Sequence, residues 1–223
     1  MRLLLNSFVI CFCFFSSSIY GEKIYNKYSV SVSGIKIGEL IWVVEISDTN
    51  YINEVTLKSR GLLSSIYHFK GEYYSEGEVE KNVLKPIKYK HFWKTKKITK
   101  NMELLFENGT PTLLTQEPTE KEYLRVNIFD IKNYKDPLTS FLQIILGEES
   151  SMVVDGRRIY TMNAIKDDKT SNVIVNILNY SNLWADHKRT KFEKLSFEKK
   201  DGDMFPYKMN IYFDERVFKL DKN

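Results

Sequence analysis

Along most of the chain polar and apolar residues alternate with a period of two, and the alternation breaks at glycine-containing turns. In an extended strand successive side chains point to opposite faces, so this period reads as half-buried β-structure. It predicts strands over residues 25–32, 35–46, 51–58, 67–74, 85–99 and 102–106. Further runs follow at 124–128, 153–164, 173–178, 190–197 and 207–220. Ser33-Gly34, Asn108-Gly109, Asp155-Gly156 and Asp201-Gly202 punctuate them. Asn/Asp-Gly pairs supply the positive φ that tight hairpins need. Many short strands joined by such turns predict a mostly β, antiparallel architecture.

One segment breaks the period. Asp136 stands where an N-cap is wanted, Pro137 at the first helical position and Gly147 beyond the end, which predicts a short helix. Its apolar residues Leu138, Phe141, Leu142, Ile144, Ile145 and Leu146 occupy most of the circumference, so the helix is buried on most sides. A weaker second helical turn is a candidate at residues 62–67. The strand at 35–46 carries Leu40, Trp42, Val44 and Ile46 on one face and Ile35, Ile37, Ile41 and Val43 on the other. Neither face is then fully open to water. A strongly curved antiparallel sheet, a half-open barrel wrapped around one or two short helices, meets both demands.

The first residues change the picture of where this fold works. Arg2 precedes a short apolar run to Phe15, followed by Ser16, Ser17, Ser18 and Gly21, the layout of a secretory signal peptide. The run is broken by Asn6 and Ser7 and is shorter than the roughly 20 apolar residues of a membrane span. The reading is a cleaved leader over residues 1–21 and a single β-rich domain over 22–223, exported and not membrane-spanning. Both cysteines, Cys11 and Cys13, lie in the leader, so the mature chain relies on its core rather than on disulfides. Ile10 and Phe12 precede them, where a lipoprotein-processing signal needs a small residue, which argues against a lipid anchor.

The formal charge of +4 is a mild excess and does not suggest a nucleic-acid partner. The three histidines, His68, His91 and His187, form no metal-ligand spacing. There is no G-x-S-x-G elbow, no mature cysteine nucleophile and no glycine-rich phosphate loop, so neither an enzyme nor a cofactor is expected. Two stretches hold candidate contacts. In residues 85–100, Ile87, Tyr89, His91 and Trp93 are read on one face, with Lys88, Lys90, Lys94 and Lys96 opposite. Such a basic ribbon suits anionic headgroups or an acidic partner, and also a solvated strand face. Asp155-Gly156-Arg157-Arg158 with Tyr160 reads as a hairpin turn that Arg157 or Arg158 could turn into an anion site.

An ordered set of pieces carries a resemblance. They are Tyr28-x-Val30, Gly34-Ile35-x-Ile37-Gly38, Gly61-Leu62, the Gly77 turn and Pro86-x-x-Tyr89. Asp136-Pro137-Leu138-x-Ser140, Val154-Asp155-Gly156-Arg157-x-x-Tyr160 and Pro206-Tyr207 complete it. Together they cover nearly the whole mature chain and resemble the exported bacterial family named domain of unknown function 3108. The family implies an envelope protein and brings no catalytic residues. More distantly the chain is similar to the lipoprotein-carrier superfamily, whose half-barrel wraps helices around an apolar cavity. The expectation is a non-enzymatic periplasmic protein that binds a lipid or a lipoprotein acyl chain. Trp42, Trp93, Phe106, Phe141 and Ile145 are the cavity-lining candidates, and Lys88, Lys90, Asp155, Arg157 and Tyr160 the headgroup or partner contacts. The alternative is a structural or adaptor protein of the envelope, with a filled core and a protein partner on its sheet edge or basic strand.

Overall fold

The computed structural model describes residues 21–61, 64, 68–167, 171–185 and 192–223. The expected leader with both cysteines, His187 and most of the candidate turn at 62–67 lie outside these residues. Seven strands come first: β1 (Glu22–Val32), β2 (Ile35–Ile46), β3 (Asn50–Ser59), β4 (Phe69–Glu80), β5 (Val83–Thr95), β6 (Thr99–Glu107) and β7 (Thr110–Glu117). After helix α1 (Pro137–Ile145) follow β8 (Ser150–Val154), β9 (Arg158–Lys166), β10 (Asn172–Asn182), β11 (Phe192–Glu198), β12 (Lys208–Phe213) and β13 (Arg216–Lys222).

All thirteen strands form one curved antiparallel sheet in the order β7-β6-β5-β4-β3-β2-β1-β13-β12-β11-β10-β9-β8. Strands consecutive in sequence pair with one another except β7 and β8, and at a central seam β1 meets β13 with Tyr28 opposite Lys222 and Val32 opposite Phe218. That seam leaves β7 and β8 as the free edges, so the sheet is barrel-like but not closed. Side chains and single bridges span the gap instead. Gln116 of β7 donates to the Gly156 carbonyl at 3.0 Å, Leu124 bridges Trp184, and Lys135 bridges Val153 of β8.

Glycine marks the turns at Ser33-Gly34, Asn108-Gly109 and Asp155-Gly156, whereas Gly77, read as a turn, lies inside β4 opposite Tyr51 and Pro86. Asn108 and Gly109 take φ of 51° and 73°, the double positive φ of a type I′ connection. Two further turns reach the same geometry without glycine, at Lys81-Asn82 and at Asp214-Glu215, which divides residues 207–220 into β12 and β13. Residues 124–128 are not a strand: Leu124 makes one bridge, and a 3-10 turn capped by Asn127 occupies Ile128–Asp130. Ile87 also departs from the alternation, since Gly77 pairs with Pro86 and Glu76 with Lys88, leaving Ile87 unpaired at a bulge and 44 % exposed. Proline cannot donate to the ladder, which favours a bulge at that point.

Helix α1 lies against β3, β4, β5, β8 and β9, on the concave face. The Asp136 carboxylate accepts from the Leu138 and Thr139 amides at 2.9 and 3.0 Å, while Gly147 ends the helix at φ 115°. Leu142, Ile144 and Ile145 join Tyr28, Trp42, Val44, Val153, Met162 and Phe197 in the main core. A second cluster gathers Tyr89, Met102, Leu104, Phe106, Ile128, Val154 and Leu183 near the two free edges.

Candidate functional site

Two polar groups are set into the concave side of the sheet. The first belongs to the helix. Ser75 donates to Asp136 Oδ2 at 2.8 Å, Thr139 donates to the same oxygen, and the Tyr51 and Thr139 hydroxyls share a 2.6 Å hydrogen bond. Trp42 Nε1 donates to Asn53 Oδ1 at 2.7 Å, and Asn53 donates onward to the Leu138 carbonyl at 3.0 Å. Gln143 accepts from the Leu84 amide and donates to the Asn82 carbonyl. Burial pushes the Asp136 carboxyl up, against the hydrogen bonds it accepts. This network closes on itself and fixes the helix in the sheet.

The second group surrounds the β8–β9 turn. Asp155 Oδ1 accepts from the Arg157 and Arg158 amides at 2.8 and 2.7 Å, folding the turn back on its own carboxylate. Gly156, at φ 79°, takes a left-handed backbone that favours glycine, and a Cβ there would lie 2.8 Å from Met102 Sδ. Its carbonyl accepts from Gln116 and from Trp184 Nε1 at 3.2 Å. Glycine therefore lets the turn dock on β6 from across the open edge of the sheet. Met102 pairs with His91 on β5, and Lys100, two residues earlier on the same face of β6, pairs with Trp93.

Docking the turn there carries Arg157 and Arg158 toward the part of β5 and β6 that holds His91 and Lys100. Burial pushes His91 down to about 4, and Arg157, Lys100 and Arg158 add to the effect in that order. Lys100 is pushed down by burial and then by Arg157, against a smaller pull from Glu120. Burial raises the Asp155 carboxyl, opposed first by Arg158, whose guanidinium lies 3.6 Å away. Arg158 also sits over the Tyr180 ring, which stacks on Tyr160, and the His91 ring stacks on Tyr73 at 4.6 Å. Buried His91 Nε2 and Arg158 Nε each lack a hydrogen-bond partner among the described residues. A cluster of cations and unsatisfied donors in an aromatic setting can bind an anion. Beside it, the inward row of β3–β5 continues past the helix with half-buried Val55, Leu57, Phe69 and Trp93, the last two stacked at 5.9 Å.

The residues singled out from the sequence fall into separate places. Trp42 stacks on Phe141 at 5.6 Å and meets the Phe205 edge at 4.9 Å, and Ile145 packs in the same core. Phe106 belongs to the second cluster, and Trp93 to the half-buried wall beside the cations. Asp155 and Arg157 form the docked turn, with Tyr160 behind Arg158. Lys88 and Lys90 lie on the opposite face of β5, facing Glu76 at 3.6 Å and Glu103 at 3.8 Å across the strands. The basic ribbon is therefore interleaved with glutamates. A groove of about 620 Å³ crosses β3–β7 there, with Glu54, Glu72, Glu103 and Glu117 in its lining beside Lys90. His91 and Lys100 were not identified as partners of the arginines. Only their shared inward parity with Tyr89 and Met102 pointed to them.

Comparison with known proteins supplies a family and a fold. The family described as "Protein of unknown function (DUF3108)" matches residues 27–213. No curated protein matches. The chain is similar to a solved structure, the beta-barrel-like protein of domain of unknown function DUF1849 from Brucella abortus. The identity is 10 % and the TM-score 0.51, over 89 % of this chain and 95 % of that one. That likeness concerns the fold alone.

Proposed function

The chain belongs to the DUF3108 family, and from that premise we propose that it is a non-enzymatic periplasmic protein that binds an amphiphile at the mouth of its half-barrel. The apolar part of the ligand lies on the half-buried wall of Leu57, Phe69 and Trp93, and its polar end meets the docked turn. One observation carries the reading: beyond the helix, the inward face of β3–β5 presents stacked aromatics contiguous with buried, unsatisfied donors. Ligand sites are typically concave, mostly apolar and fixed by a few convergent polar groups, and this mouth has that composition. Elsewhere along the concave face, helix α1 occupies the space that a carrier would keep for its cargo, which favours the mouth over the interior.

Expression with the leader in a Gram-negative host, purification from the periplasm, native mass spectrometry and lipid extraction test the proposal. A co-purifying lipid of defined mass, lost or weakened in Trp93→Ala, is expected. A bare protein mass together with no response to a fluorescent fatty amphiphile would overturn it, and would favour the adaptor reading with a protein partner.

A further inference from the structure

We propose, resting on the reading of the mouth as a ligand site, that the polar end of the ligand is a phosphate group held by Lys100, Arg157, Arg158 and His91. Three separate parts of the fold deliver these side chains: β5 carries His91, β6 carries Lys100, and the β8–β9 turn with the first residue of β9 carries Arg157 and Arg158. Donors converging from three elements suit the tetrahedral oxygens of a phosphate better than the two coplanar oxygens of a carboxylate. Guanidinium groups match phosphate through paired N–H donors, and a lysine adds a point charge.

The charges agree. Asp155 engages Arg158 and caps the turn with its other oxygen, and Glu120 pulls on Lys100, so the cations outnumber the carboxylates by one with His91 neutral. Arg157 has no side-chain hydrogen bond or ion pair among the described residues, and its charge bears on both His91 and Lys100. Arg158 Nε is a donor, and His91 Nε2 is one in the ring tautomer that carries its proton there, so each leaves an oxygen's place to be filled. His91 is held in orientation by the Tyr73 stack, and Gly156 holds the arginines against β6 through Met102, Gln116 and Trp184. The site is thus preorganised on strands rather than on a free loop.

The test measures binding of three single-chain amphiphiles matched in tail: a lysophosphatidylglycerol, an uncharged monoacylglycerol and a fatty carboxylate. Tryptophan fluorescence reads binding, and side-chain nuclear magnetic resonance of His91 reads contact with the headgroup. Tighter binding of the phosphate compound by about tenfold over both others is expected, the scale of one charged hydrogen bond. Arg157→Gln and Lys100→Gln, each checked for unchanged melting, should remove that preference and leave the uncharged compound's affinity in place. Competition by inorganic phosphate would identify the bare anion as sufficient, and its failure to compete would assign the site to a lipid headgroup. Equal affinity for all three amphiphiles would overturn the phosphate site and leave the mouth reading standing. Binding of none would overturn both.

Discussion

At the N-terminus of α1, Asp136, Thr139, Ser75 and Tyr51 close on one another, whereas at the mouth His91, Lys100, Arg157 and Arg158 converge with donors to spare. The helix group is buried and the mouth residues half-buried, and both groups include a carboxyl raised by burial. They differ in satisfaction. A buried polar network with every member paired makes the fold rigid, while one with unpaired donors costs stability unless something supplies the missing partner. The helix network therefore reads as structure and the mouth as a site. Position in the half-barrel would not have separated them, since both sit on the concave face.

Breaking the closed network should have the largest effect. Asp136→Ala removes the N-cap and leaves the Ser75 and Thr139 hydroxyls without their acceptor, at a cost of about 3 kcal/mol in urea unfolding. The next effect appears on acidification. Well above pH 6.5 the His91 ring is neutral in both folded and unfolded chains. As the pH falls from 6.5 to about 4, the unfolded chain takes up a proton that the folded site refuses, so stability is lost across that window. The loss approaches about 3 kcal/mol at its lower end, and His91→Gln should flatten this limb. The raised carboxyls of Asp136 and Asp155 slope the opposite way, so the difference between the two proteins isolates the imidazole. The smallest effect sharpens the contrast: Arg157→Gln should change stability by no more than about 0.5 kcal/mol, because the side chain has no partner to lose among the described residues. A thermal melt at neutral pH checks it.

What could be read from the sequence was what is decided locally. The helix was legible because Asp136, Pro137 and Gly147 act within one turn of its ends, and the chain's β character because alternation needs only neighbours. Thr139, Ser140 and Gln143 were not recognised as a buried polar face, since their partners stand far away in sequence, Ser75 being 64 residues from Thr139. The glycine-free turn at Asp214-Glu215 hid one hairpin boundary, and that at Lys81-Asn82 hid how far β4 runs. The candidate site divides in the same way. Asp155, Gly156 and Arg157 declared themselves as a turn, but only the contact of Gly156 with Met102 shows that this turn faces His91 and Lys100.

The pairing of β1 with β13 has a consequence for how the chain reaches its native state. Tyr28 must find Lys222, nearly two hundred positions along, before the two halves of the sheet become one. Loop closure on that scale is entropically slow, and pairings remote in sequence delay folding. During synthesis the N-terminal half, β1 to β7, emerges without the strand that completes it, and no partial chain can contain the seam. Each half of the sheet can grow through hairpins between consecutive strands, but the joining of the two halves waits for β13, the last strand of the sheet.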